Sequence, residues 1–270
     1  MTVLDYWLTP LGLGVVCQGI ARLFPFRKMD ATTEHAWNVI GYLGTIFFAF
    51  LIATLVRQPA YGWLEGRAWV SAVREVTALF PWWLLALVTI VLTDFLGYWS
   101  HRVLHGRWLW NQHAWHHSPK RLNWVSGNRA SLIHMLVATI PTIIIPVSLL
   151  FPIEQFVGTS FFISTLFVFI QHYIHSNIKL GYQNYIELFL VTPRYHFVHH
   201  STTRAYSDSN YAFILAWDRC FGTFTDPGTV PENDPLGLNY ETTNWRLLFG
   251  LPAPKAIKKM DDRRATVLSG

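Results

Sequence analysis

The sequence predicts an all-α integral membrane protein with four to five transmembrane helices and a cytoplasmic, histidine-rich helical cap. Of its 270 residues, 51% are hydrophobic and only 14% are charged, whereas soluble domains carry about 25% charged residues. Several apolar segments are about 20 residues long, the length that crosses a bilayer. Ten of the twelve histidines lie in four short clusters close to these segments. These three observations predict the fold class.

The first half of the chain holds three candidate spans. Residues 6–24 form the weakest candidate because Arg22 and three glycines interrupt them, so this segment either spans the bilayer or lies in its interface. Residues 38–56 fit a complete span, and residues 81–100 also fit one, with Asp94 near the end of the segment.

The next two apolar segments, residues 131–151 and 153–171, predict a helical hairpin. The hairpin is expected to break at Phe151 and Pro152. Pro141 and Pro146 are expected to kink its first arm, because proline cannot donate the helical hydrogen bond.

Basic residues orient the predicted spans. If residues 38–56 run outward, Arg57, Arg67 and Arg74 lie outside, and all the others of the 21 Lys and Arg residues lie inside. The positive-inside rule then places residues 101–130 and 172–270 in the cytoplasm, with every histidine cluster. The net charge of +5 fits contact with anionic lipids, and no nucleic-acid partner is expected.

The length fits one domain over residues 1–270. Cys17 and Cys220 lie far apart and predict no disulfide. The N-terminus lacks the basic segment and cleavage site of a signal peptide. Lys258 and Lys259 lie too far from the C-terminus for a dilysine retrieval signal. We therefore expect a bacterial inner membrane in preference to the endoplasmic reticulum of a eukaryote.

The histidine clusters predict a metal centre. Neutral imidazole is a common ligand of iron, zinc and copper, and a spacing of three or four residues places two rings on one helix face. Ten rings exceed the needs of one ion and suit two. His35 and His134 lie outside the clusters and are expected to be ordinary polar residues. The clustered histidines are His101, His105, His113, His116, His117, His172, His175, His196, His199 and His200.

Two iron ions with open coordination positions would bind O2 and oxidise an aliphatic C–H bond. Zinc alone is an alternative, and zinc is also possible in a purified sample. A hydrolytic zinc site usually needs a carboxylate base, but the sequence has no HExxH motif and few Glu residues near the clusters. A metal transporter would place its ligands at mid-membrane, whereas these histidines lie at the ends of predicted spans.

Ligating histidines need hydrogen-bond acceptors that orient them. Asp94 lies two helical turns before His101 and either orients a ligand or makes a polar contact between helices. Asp208 and Asn210 follow the last cluster. Asp218 either supports that cluster or pairs with the adjacent Arg219 at a structural turn.

Two further sets of residues have alternative interpretations. Arg102 and Arg129 mark the cytoplasmic interface or hold a lipid phosphate, and we favour the first. Four tryptophans are expected to anchor the protein in the interface rather than to surround a substrate. They are Trp108, Trp110, Trp115 and Trp124.

Residues 93–224 resemble the fatty acid hydroxylase and sterol desaturase superfamily. The resemblance rests on the order and spacing of HxxxH, HxxHH, an isolated HSN and a second HxxHH. His172 lies three residues before His175, where some hydroxylases have a spacing of four, and it is a ligand or a buried polar residue. The resemblance assigns the other nine clustered histidines to the metal centre.

The resemblance implies a histidine-rich di-iron centre that hydroxylates or desaturates acyl chains or sterols with O2. Some members carry a fused haem domain that has no counterpart here, so we expect a separate electron donor. A ferredoxin, or a b-type cytochrome with its reductase, would serve. A third hypothesis, a non-catalytic membrane protein that binds metal or lipid, predicts binding without oxygen consumption.

Overall fold

The computed structural model describes residues 3–29, 33–151 and 153–254, and in these ranges the protein is helical without a β-strand. The charged segment with Lys258 and Lys259 lies outside the described residues. The long helices are α1 (Val3–Leu23), α2 (His35–Leu64), α3 (Ala68–Thr77), α4 (Trp82–Leu104), α5 (Trp110–His117), α6 (Leu132–Leu150) and α7 (Ile153–His175). The short helices are α8 (Gln183–Ile186), α9 (Pro193–His199), α10 (Arg204–Ser207), α11 (Ala216–Cys220) and α12 (Asn244–Leu248).

Within the described ranges, α2, α4 and α6 are long and apolar enough to cross a membrane. Two shorter apolar helical stretches, Leu8–Leu23 and Phe161–His175, correspond to the other predicted spans. The all-helical membrane class is therefore confirmed, while the count of four to five spans stays a prediction.

The outer faces of the long helices are apolar. Phe47 and Leu55 on α2, Leu87 and Val88 on α4, and Phe162 on α7 all expose large hydrophobic side chains. An apolar surface of this extent would be unfavourable in water, and it suits contact with lipid acyl chains.

The prolines of α6 lie at a local change of helix type, while the kink stays a prediction. Pro141 lies in a π-helical turn, Ile140–Ile144, and Pro146 lies in the first turn of the α-helical segment that follows. The wider turn accommodates a residue that cannot donate a backbone hydrogen bond. The helix ends at Leu150, and α7 begins at Ile153, as the predicted hairpin requires.

The two ends of α6 contact different parts of the protein. Arg74 on α3 donates a 2.8 Å hydrogen bond to the carbonyl of Ser148, and Thr77 donates to Leu150 at 2.9 Å. These contacts place α3 at the C-terminal end of α6. His134 lies at the opposite end of α6. The predicted outer arginine is therefore separated from the histidines by the length of the bundle.

We call residues 105–131 and 176–254 the cap. Arg129 joins the cap to α2. It is fully buried, and its Nε and Nη2 atoms donate to Asn38 Oδ1 of α2 at 2.9 and 2.6 Å. Its Nη1 donates to Ser118 Oγ at 2.9 Å. Arg129 thus connects α2 to the residue that follows α5 inside the protein. The expectation that Arg129 marks the membrane interface is wrong. Arg102 lies nearer the surface and donates to the Tyr98 hydroxyl at 2.9 Å.

Candidate metal centre

Nine of the ten clustered histidines come together in two groups. In each group the possible ligand atoms lie within 4.8 Å of one another. The first histidine group consists of His101, His105, His113, His117 and His199. The second histidine group consists of His116, His175, His196 and His200.

Each HxxHH motif divides its rings between the two groups. In α5, His113 and His117 are four residues apart, share a helix face and join the first group, while His116 points to the second. At α9 the pattern is reversed, because His196 and His200 share a face and join the second group, and His199 points to the first. Each HxxHH motif therefore contributes histidine rings to both groups.

The remaining histidines come from the ends of long helices. His101 lies in the last turn of α4 and His105 caps that helix, so both face the first group. His175 ends α7 and faces the second. Because α4 and α7 run through the apolar bundle, the two groups lie at its edge, under the cap.

The Nε2 atoms converge within each group. In the second group, His175 Nε2 lies 3.1 Å from His116 Nε2 and 3.0 Å from His196 Nε2, and His196 Nε2 lies 3.1 Å from His200 Nε2. In the first group, His117 Nε2 lies 3.1 Å from the Nε2 atoms of both His105 and His113.

Backbone carbonyls fix the tautomer of three rings. The Nδ1 atoms of His101, His175 and His199 lie 3.0, 2.7 and 2.7 Å from the carbonyl oxygens of Tyr211, Gln171 and Ser209 respectively. A carbonyl only accepts, so each Nδ1 carries the proton and donates it. Each Nε2 is left with a lone pair, as a metal ligand requires.

Buried nitrogen atoms without partners support the assignment. Among the described residues, the Nε2 atoms of His101 and His199 are buried and have no hydrogen-bond partner. An unpaired buried polar atom is unfavourable. Lone pairs that face one another at about 3 Å repel, and a cation between them would satisfy both. The donor set therefore fits a metal ion.

Burial keeps the rings outside the predicted membrane spans neutral. Desolvation, with a smaller contribution from neighbouring histidines, lowers the pKa of each well below its ordinary value of 6.5. A neutral imidazole is the form that binds a metal ion. The residues concerned are His113, His116, His117, His196, His199 and His200.

The carboxylate of Asp208 lies beside His105 of the first group. Its Oδ1 lies 3.3 Å from His105 Nδ1, and its side chain is 61% exposed. Burial lowers the pKa of His105, and the hydrogen bond that the His105 ring donates to Asp208 opposes that shift. Asp208 is thus the one predicted supporting residue that the described structure places beside a clustered histidine.

Asp94 and Asp218 instead hold the segment that follows the last cluster. Asp94 accepts from the amides of Phe213 and Ile214 at 3.0 and 2.9 Å and from the Trp217 indole at 3.0 Å. This is the polar interhelical alternative, linking α4 to that segment.

Asp218 accepts from the amides of Tyr211 and Ala212, both at 2.9 Å. It also accepts from the hydroxyls of Tyr195 and Thr223 at 3.0 and 2.7 Å. Because Tyr211 in turn accepts from His101, Asp218 supports the first group through the backbone. The predicted pairing with Arg219 is not what the structure shows, since that guanidinium donates to two carbonyls.

Asn210 adopts a positive φ of 60°. Its side chain donates to the carbonyls of Tyr195 and Thr225 at 3.3 and 3.0 Å and accepts from the Thr225 amide at 2.8 Å. It stabilises the turn rather than a histidine ring. These contacts do not include a histidine ring, so they do not correspond to the expected role of Asn210 in supporting the metal ligands.

His172 lies outside both groups. Its Nε2 is 3.1 Å from the carbonyl oxygen of Pro10, and its ring packs 5.3 Å from that of Trp124. These contacts correspond to the buried polar alternative, and they join α7 to α1.

The structure adds three residues that the sequence interpretation missed. His134 Nδ1 lies 3.4 Å from His113 Nδ1, on the side away from the first group. Gly127 packs against the His175 imidazole so closely that a Cβ atom would collide with it. The ring of Trp110 lies 5.3 Å from those of both His105 and His117. No local spacing joins His134 to His113 or Gly127 to His175, whereas Trp110 and His117 lie two turns apart on one face of α5.

The expectation of interfacial tryptophans holds only in part. Trp108 is 79% exposed, as an anchor would be, but Trp115 is fully buried and Trp124 is nearly so. The last two pack inside the protein, and for them the expectation is wrong.

Comparisons with known proteins agree with this geometry. The family model described as fatty acid hydroxylase matches residues 86–223. The chain is 29% identical to alkylglycerol monooxygenase from Homo sapiens over 85% of this chain and 45% of that protein. It is 31% identical to ornithine lipid hydroxylase OlsE from Rhizobium tropici over 76% of this chain and 58% of that protein.

A further relative is the very-long-chain aldehyde decarbonylase GL1-6 from Oryza sativa subsp. indica. It is 29% identical over 70% of this chain and 32% of that protein. The chain spans about half the length of the curated relatives it matches. No solved structure matches it.

Proposed function

The chain belongs to the fatty acid hydroxylase family, and we propose that it is a membrane-bound, O2-dependent lipid hydroxylase with a di-iron centre. One iron would be bound by each histidine group. The proposal treats residues 1–270 as a single catalytic domain. The observation that carries it is the convergence of nine imidazoles, seven of them on buried residues, into two sets of ring nitrogens.

The side chains supply a neutral, preorganised ligand set. Carbonyls accept the Nδ1 protons of His101, His175 and His199, so those rings do not rotate away when a metal ion binds. Burial excludes water from the second group, whose four rings are all enclosed. Asp208 would hold the His105 ring by accepting its Nδ1 proton.

Two iron ions bound there would supply the activation of O2 and the abstraction of hydrogen from an aliphatic C–H bond. In the overall reaction, one oxygen atom enters the lipid and the other becomes water. Two electrons and two protons balance the equation. The electrons would come from a separate donor protein, a ferredoxin or a b-type cytochrome with its reductase.

The substrate is proposed to be a membrane lipid, an acyl chain or a sterol. Two similar proteins support a lipid substrate by name, an alkylglycerol monooxygenase and an ornithine lipid hydroxylase. The apolar outer faces of α2 and α4 would let a lipid approach from the bilayer. The histidine groups are proposed to face the cytoplasm, in a bacterial inner membrane.

Lipid mass spectrometry after growth under 18O2 tests the reaction. Cells that make the wild type are compared with cells that make His199→Ala and with a control, His35→Ala, whose exposed histidine lies outside both groups. We expect a lipid with one 18O atom in the wild type and the control, and not in His199→Ala.

The other outcomes lead to different conclusions. A product that is lighter by two hydrogens and carries no label would identify a desaturase. Equal labelling in all three strains would contradict the site assignment. Metal-loaded protein that consumes no oxygen with donor and lipid extract would favour the non-catalytic alternative.

A further inference from the structure

A basic pocket opens on the surface where α1 meets the cap. Its volume is about 420 Å³. Its walls come from the end of α1, the segment that follows it, residues 121–123 and residues 176–177. Its described lining residues include no Asp or Glu. The cationic side chains that line it are Arg22, Arg27, Lys28 and Arg121.

Arg27 is held in place with part of its hydrogen-bonding capacity unused. Its backbone amide donates to Asn177 Oδ1 at 3.0 Å, and Asn177 Nδ2 donates to its carbonyl at 2.8 Å. Its Nη1 donates to the Asp234 carbonyl at 3.1 Å, while its Nε is buried without a hydrogen-bond partner. The carboxylates of Asp234 and Glu232 act on Arg27, but neither lines the pocket.

The surroundings of the pocket favour a lipid over a free anion. A second hollow of about 530 Å³ shares Pro25 with the basic pocket. Phe24, Tyr182 and Tyr185 line this second hollow, and their side chains are 59%, 76% and 70% exposed. Phe24 directly follows the apolar helix α1, while Tyr182 and Tyr185 lie at α8. Exposed aromatic rings suit the boundary between headgroups and acyl chains.

We propose that the basic pocket binds the phosphate-bearing headgroup of an anionic phospholipid, whose acyl chains lie along the second hollow. Guanidinium groups donate paired hydrogen bonds that fit phosphate oxygens. Basic pockets between membrane helices on the cytoplasmic side are suited to acidic headgroups. The site is separate from both histidine groups, and it does not depend on the proposed reaction.

Native mass spectrometry of the detergent-solubilised full chain tests this site. The probes are short-chain phosphatidylglycerol, phosphatidylcholine with the same chains, and inorganic phosphate. We expect saturable binding of one phosphatidylglycerol and weaker binding of the other two. The double variant Arg22→Gln with Lys28→Gln should weaken phosphatidylglycerol binding about tenfold, since each cation near a lipid headgroup contributes favourably.

A matched control removes the same charge elsewhere. Arg67 and Arg107 are exposed, lie outside the pocket and pack on Trp63 and Trp108. Arg67→Gln with Arg107→Gln should bind phosphatidylglycerol like the wild type. Equal weakening in both double variants would overturn the proposal by showing a net-charge effect. Inorganic phosphate that binds as tightly as phosphatidylglycerol would overturn the lipid assignment.

Discussion

The first histidine group has an exposed acidic residue beside it, whereas the second is enclosed. His101 and His105 of the first group are intermediate in burial as whole residues, but the His105 side chain is only 3% exposed, and the exposed side chain of Asp208 contacts it. All four histidines of the second group are buried. One of them, His175, packs directly on the backbone at Gly127.

This difference indicates two ways of holding a ligand set. The first group depends on hydrogen bonds that its rings donate to the carbonyls of Ser209 and Tyr211, in a segment that Asp218 stabilises. The second group depends on close packing around His175. Polar substitutions should therefore affect the first group, and added volume should affect the second.

The largest effect is expected for His199→Ala, which removes a proposed ligand from the first group. Activity should fall by more than about 100-fold, beyond the loss typical of residues that only support a ligand. Turnover and metal content by elemental analysis measure the effect, with His35→Ala as the control. Retained metal with full turnover would remove His199 from the ligand set.

The next effect is expected for Gly127→Ala, which tests the packing of the second group. The new methyl group would collide with the His175 ring, so stability should fall by about 2 kcal/mol and activity by about tenfold. Gly44→Ala is the matched control, because a Cβ there meets no atom within 4 Å. Thermal unfolding and turnover of both variants check the prediction, and identical behaviour would contradict close packing at His175.

Asp218→Asn should have a smaller effect that is confined to the first group. The amide can accept through only one atom, so some of the four donors around this buried residue lose their acceptor. We expect a loss of about 1 kcal/mol in unfolding free energy. Iron spectroscopy should show a change at one of two sites. A change at both iron sites, or at neither, would contradict the proposal that Asp218 supports only the first histidine group.

Asp208→Asn should have the smallest effect, because its side chain is largely exposed and its contact with His105 is 3.3 Å long. Surface pairs of this kind contribute little, about 1 kcal/mol or less. Activity should fall by about threefold, in line with that free energy. Asp226→Asn, which lies in an exposed turn, is the control. A loss as large as that of His199→Ala would show that Asp208 is itself a ligand.

The sequence predicts the membrane class and the metal-binding character well, because both depend on local patterns. Apolar length identifies α2, α4 and α6, and the HxxxH and HxxHH spacings select rings that share a face. It does not predict how α5 and α9 divide their histidines, since this depends on how the two helices are placed against each other. The contact between Gly127 and His175 joins residues 48 positions apart and has no local signature.

The hydrogen-bond partners of the acidic residues are the feature of the site that the sequence predicts least well. Asp94 and Asp218 look equivalent to Asp208 as ligand supports, yet they bind backbone amides. A carboxylate accepts from any donor nearby, so its partner is decided by tertiary structure rather than by spacing.

Iron stoichiometry tests the central claim most directly. The protein would be produced with 57Fe, and iron per chain and Mössbauer spectra would be measured for the wild type, His199→Ala and His196→Ala. We expect two irons per chain in the wild type, one in each histidine group. We also expect each variant to alter a different spectral component. An active wild type with a single iron, or variants that alter the same component, would contradict the proposal that each histidine group binds one iron.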